Sequence, residues 1–196
     1  MAEQVYLIKN MSEARMAWEE LKRDSWDSTI LCFHEDLMNW DVKNKLMPML
    51  KQKQVQDVEL HWVEPETMYI KIYTSLMGGL NLTYYLKMEQ IAFERGMHAV
   101  CFSFTEEVDK GSGLGGLLGG FMKPAVGQSY LQMVIKEQPM LRVKGSQIIV
   151  DLDQWPAFRQ ACQWSHQGKI IGNDLNIQNM GMVNRCLCLK FSWRTE

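Results

Sequence analysis

Hydrophobic positions recur along the chain in two rhythms, and the switches between them mark out the predicted elements. Val5-Tyr6-Leu7-Ile8 is a short apolar run suited to a buried strand. Asn10 or Ser12 then caps a helix to about Asp24, on which Met11, Ala14, Trp18 and Leu21 recur at three- and four-residue spacing as one apolar stripe. Residues 28–34 read as a second strand. Asp41 opens a helix to about Gln52, with Val42, Leu46, Met49 and Leu50 inward and Pro48 as an interior kink. Residues 58–63 alternate Val, Leu and Trp with Glu and His, and residues 68–73 alternate Met and Ile with Tyr and Lys, the period of half-exposed strands. Gly78-Gly79 then opens a helix to about Arg95, stopped by Gly96, and residues 98–104 form the next apolar strand. Strands alternating with helices of this length predict an α/β fold, a mainly parallel sheet sandwiched by helices over the first ~105 residues.

The pattern changes after that point. Residues 130–135, 141–143 and 147–151 are short strand-like pieces, with Lys144-Gly145 as a turn between the last two. Asp153 caps a helix to His166 with Pro156 in its first turn, Gly168 closes it, and residues 170–171 and 185–193 supply late strands. These predict an antiparallel or α+β extension in the C-terminal third. The expected organisation is an α/β core over 1–108, a Gly-rich apolar loop over 109–127 and the extension over 128–196. The last is expected to pack on the same core, because about 70 residues make a thin core alone.

Composition narrows the class. The chain has 196 residues, 46% hydrophobic and 22% charged, which excludes a largely disordered, collagen-like or coiled-coil protein. Its net charge of −2 offers no overall field for nucleic acid or an acidic membrane. Five cysteines, an odd number spread over apolar runs, read as reduced thiols. With no basic-then-apolar leader and no stretch long enough for a membrane span, the expected location is cytoplasmic. Of 15 Met, Met16, Met49 and Met88 fall on predicted inward faces. Met122, Met180 and Met182 fall in Gly-flanked loops, where thioethers suit an adaptable docking surface.

Few motifs carry complete chemistry. Gly111-Ser112-Gly113-Leu114-Gly115-Gly116 matches a dinucleotide spacing, but Glu106, Glu107 and Asp109 would repel phosphates and no good helix follows. Its apolar residues, Leu114, Leu117, Leu118, Phe121 and Met122, must be covered, which makes it a candidate interaction loop. Ser75, Gly78 and Gly79 at a strand-to-helix junction, with His34 at a neighbouring strand end, form a candidate site for a small anionic ligand. His34-Glu35-Asp36 could serve a general base, but no matched nucleophile accompanies it. Residues 148–153 end an apolar strand in D-x-D. They resemble the opening of the haloacid-dehalogenase phosphotransfer motif, yet Gln154-Trp155 stand where Gly-Thr should follow and too little chain remains for the later motifs. Cys162 and His166 share a helix face, and Cys186 and Cys188 a strand face, so a Cys₃His zinc site can be drawn. No other cofactor is implied. The expectation is a binding or regulatory module acting through protein contact, with a protein partner or itself, and without catalysis of its own. The alternative is a small enzyme or ligand-binding protein using the strand ends near His34 and Ser75–Gly79.

Overall fold

Asn10 starts the first helix. Its side-chain oxygen accepts the N–H groups of Ser12 and Glu13, each at 3.0 Å, capping α1 (Met11–Arg23). Asp41 accepts the Met11 N–H at 2.6 Å and so anchors α1 instead of capping a helix of its own. β1 (Gln4–Ile8) and β2 (Ser28–His34) flank α1 and pair in parallel, with Ile8 and Ala17 buried between strand and helix. A π-helical turn over Leu37–Val42 leads into α2 (Lys43–Lys51), which carries Pro48 inside it. The structure is a computed structural model that describes residues 3–63, 65–75, 79–109, 131–132, 135 and 138–194.

The remaining strands overturn the expected fold class. β3 (Val55–Val63), β4 (Thr67–Thr74), β5 (Asn81–Glu94), β6 (Met97–Asp109), β7 (Leu141–Lys144) and β8 (Gln147–Asp151) form a six-stranded sheet in the order β3-β4-β5-β6-β8-β7. Every neighbouring pair in it is antiparallel. After a 3₁₀ turn (Leu152–Gln154) come α3 (Pro156–Cys162), the two-residue strands β9 (Ser165–His166) and β10 (Lys169–Ile170), and α4 (Ile171–Asp174). β11 (Leu175–Val183) and β12 (Cys186–Trp193) then complete a four-stranded sheet in the order β1-β2-β12-β11. Among the described residues β1 and β2 are the one parallel pair. The fold is therefore mostly antiparallel, not a parallel sheet sandwiched by helices.

The error lies at residues 78–96. β5 places Leu82, Tyr84, Leu86 and Met88 on the buried face and Tyr85 and Lys87 on the other, a period of two. Gly96, with φ +78°, turns the chain between the paired residues Glu94 and Met97 and ends no helix. The helix expected from Asp153 to His166 shrinks to α3, because the Asp153 carboxylate bonds His98 instead of capping.

The buried face of the six-stranded sheet, including Leu60, Trp62, Met68, Tyr84 and Phe104, packs on Met182 and Leu187 of the other sheet. A second cluster joins Leu21, Trp26, Phe93, Leu175 and Trp193 where the sheets converge near the end of α1. Buried indoles tie elements together: Trp26, Trp62 and Trp193 donate to the carbonyls of Leu21, Phe33 and Trp26 at 3.0, 2.9 and 3.0 Å. The methionines divide differently from expectation. Met88 is buried, but Met16 and Met49 are exposed, and Met182, expected in a loop, is a core residue.

One polar contact closes the outer edge of β3. Asn39 accepts the Leu60 N–H at 2.8 Å and donates to the Leu60 carbonyl at 2.6 Å, standing in for a residue of a next strand. Asn39→Ala removes both partners of this backbone unit and should destabilise the protein by about 1–3 kcal/mol. The loss should be read as a lower urea midpoint at unchanged slope; an unchanged midpoint would show that water serves the edge equally well.

Candidate functional site

The residues proposed for an anionic ligand do not converge. Ser75 follows β4, where its N–H bonds the Gln54 carbonyl at 2.9 Å, and Gly79 (φ +102°) lies in the connection to β5. A strand, not a helix, follows, so no helix N-terminus faces an anion there. His34 and Glu35 sit beside Trp62 at the other end of β3, about 25 Å along the strand. Gly78 and the interaction loop Leu114, Leu117, Leu118, Phe121 and Met122 lie outside the described residues.

The zinc set is likewise dispersed. Cys188 forms a disulfide with Cys32, its partner directly across β12 and β2, which also corrects the reading of five reduced thiols. Cys186 lies opposite His34, two residues away on the same face. Cys162 borders a cleft of about 400 Å³ with His98 and Gly172, and His166 is stacked among Trp26, Trp164 and Trp193. Among the described residues no group of three or more His, Cys, Asp or Glu side chains is disposed to hold a metal ion. Nor, among those residues, is any helix long and apolar enough to cross a membrane.

One catalytic-looking set went unnoticed in the sequence. His98 faces the Asp153 carboxylate through Nδ1 at 2.7 Å and the Gly172 carbonyl through Nε2 at 2.8 Å, beside Cys162. Burial, with a smaller contribution from Asp153, pushes the Cys162 thiol up to about 11, so it stays protonated. Both ring nitrogens of His98 thus face oxygen atoms of the protein, a carboxylate on one side and a backbone carbonyl on the other. The arrangement fastens α4 to β6.

Glu35 organises the junction of the two sheets. Its carboxylate is 2% exposed, accepts the Trp62 N–H at 3.2 Å and the Arg185 Nε–H at 2.6 Å, and lies 3.4 Å from His61 Nδ1. Arg185 and Asn184 form the two-residue turn between β11 and β12, both with positive φ, 62° and 51°. Glycine is the usual residue at the second of these positions, and a longer side chain there costs about 1 kcal/mol or more.

The sheet edges differ sharply in how they are protected. Outer β3 is covered by Asn39 and by Glu35 on the Trp62 N–H. β7 is short and bears Arg142 and Lys144. β11 is bulged between Asn179 and Met182 and gives its Met182 N–H to the Pro65 carbonyl at 2.8 Å. The approach is close enough there that a Cβ on Gly181 would sit 3.2 Å from that oxygen. β1 has no such cover among the described residues. Thr29 Oγ1 donates to the Gln4 carbonyl at 3.1 Å, so Gln4, Tyr6 and Ile8 turn their backbone groups toward β2. Val5 and Leu7 then turn theirs outward.

The side chains of Val5 and Leu7, expected to be buried, are 63% and 50% exposed. They continue across the outer face of the sheet to Ile30 and the Cys32–Cys188 disulfide. Their neighbours Glu3 and Lys9 share that parity, a sign in the sequence that this face meets water.

Acid tests the Glu35 junction. Burial works against its charged form, but the Arg185 guanidinium, the Trp62 N–H and His61 outweigh burial and hold the carboxyl below its usual range. A depressed carboxyl contributes stability that is complete above the unfolded pKa, about 4.3 for Glu, and is lost as pH falls through the folded value. Stability measured against pH should therefore decline below that range, and Glu35→Gln should flatten the decline while lowering stability at neutral pH. Arg185→Gly relieves the turn yet should still destabilise by about 2 kcal/mol; a variant as stable as wild type would show that the turn alone decides this position. Comparison of the chain with family models, with curated proteins and with solved structures finds no match.

Proposed function

We propose that this chain is a binding module that works by protein contact, accepting a strand of another polypeptide along the open edge of β1. One observation carries the reading. Of the four edges of the two larger sheets, three are blunted or covered, while β1 presents outward backbone groups flanked by exposed Val5 and Leu7. Edges left in this state are templates for strand addition, in which main-chain bonds supply affinity and alternate side chains supply selectivity. The chemistry of the described residues favours this over catalysis, since the Cys162 thiol beside His98 is held protonated.

Hydrogen exchange resolved to single amides, on the chain diluted until monomeric, tests the reading. Tyr6 and Ile8 amides should be protected by β2, while those of Val5 and Leu7 exchange as unprotected groups. Protection of all four in the monomer would mean that the edge is already covered, and would sink the proposal.

A further inference from the structure

The residues along β1 read in opposite directions from Tyr6 as chemical complements: Glu3 against Lys9, and Val5 against Leu7. All four share the parity of the outer face of the four-stranded sheet. Val5 and Leu7 turn their backbone groups toward the open edge, while Glu3 and Lys9 flank the strand, the Lys9 N–H donating to the Glu13 carboxylate at 2.6 Å. A two-fold antiparallel pairing must bring outward-turned residues face to face, and the registers centred on the three middle residues of β1 pair the most of the strand. Centred on Val5, the pairing sets Glu3 against Leu7. Centred on Leu7, it sets Lys9 against Val5. Centred on Tyr6, it sets Glu3 against Lys9 and Val5 against Leu7, each charge on its opposite and each aliphatic on an aliphatic.

We infer that the occupant of the β1 edge is β1 of a second copy, paired antiparallel about Tyr6, so that two four-stranded sheets join into one of eight strands. The inference rests on the reading of β1 as an open docking edge. Val5 and Leu7 of opposite copies exchange both backbone hydrogen bonds, the closely spaced arrangement of an antiparallel ladder. Glu3 already accepts Lys190 at 2.6 Å and Ser28 at 3.0 Å, and Lys9 of the second copy adds a second cation on its free side. Lys9 has no ion-pair partner among the described residues. Paired aliphatics at the centre extend the strip of Ile30 and the disulfide from each copy into one apolar band. A five-residue strand buries far less than a standard interface of about 1,600 Å², so the dimer is reversible and depends on concentration.

Sedimentation of the full chain at neutral pH and low salt decides the matter, with tryptophan fluorescence confirming that each variant is folded. Wild type should show a monomer–dimer equilibrium. Glu3→Lys and Lys9→Glu, each alone, replace two attractions with two repulsions and should each weaken dimerisation about tenfold. An equimolar mixture of the two variants should restore it, because each reversed charge then faces one of opposite sign on the other chain. The double variant should restore it for the same reason. Leu7→Lys should abolish it. A wild type that stays monomeric at every accessible concentration overturns the second copy as occupant, while the exchange experiment on Val5 and Leu7 still judges the edge itself. A dimer indifferent to both single charge changes overturns the Tyr6 register and leaves protein contact standing.

Discussion

A buried carboxylate with three kinds of donor holds the two sheets to each other. Glu35 leaves β2 of one sheet and reaches the Trp62 N–H on the edge of the other, while its own N–H bonds the Arg185 carbonyl at 3.0 Å. An isolated charge in that position would be prohibitive, so the guanidinium of Arg185 must stay with it, and Arg185 must occupy a turn position that glycine would fill more easily. The β11–β12 turn is thereby committed to Arg185, and with it the register that sets Cys186 opposite His34 and Cys188 opposite Cys32. The disulfide and the location of β12 follow from this one electrostatic requirement being met.

The same junction explains why the exposed strand of this molecule is β1 and not β3. Residues 35–42 run beside β3 and lend it side-chain partners at Leu60 and Trp62, which occupies the edge without adding a strand. β1 lies at the far side of its sheet, with α1 over one face and nothing described over the other. Protection is thus distributed unevenly, and the uneven distribution is what gives the molecule a direction in which to make contact.

Local signals were legible where they were sufficient. The 5–8 strand, the Asn10 cap, the strand at 28–34 and the turn at Gly145 all depend on neighbours in sequence, and the structure has them. Residues 81–94 carried a clear period of two, but Gly-Gly before them and Gly96 after them suggested helix boundaries that serve hairpins equally well. Among the described residues the parallel pairing of β1 and β2 around α1 does not extend to the other strands. Asn39 as an edge surrogate, Asp153 as the partner of His98, and the cross-strand cysteines depend on pairings between residues 21, 55 and 156 apart, which no periodicity reveals. The exposure of Val5 and Leu7 was hidden for the same reason, since an apolar tetrapeptide does not say which strand will end a sheet.

The strand order also constrains how the chain can be made. β2 acquires its second neighbour only when residues 186–193 arrive, because β12 lies between β2 and β11. During synthesis the early βαβ segment therefore presents an unpaired β2 flank, and its sheet stays incomplete while the whole antiparallel hairpin system is built. Contacts of such long sequence separation close late and slowly, and exposed strand flanks invite mispairing in the interval. In a nascent chain of this protein the β2 flank stays open to mispairing until residues 186–193 arrive.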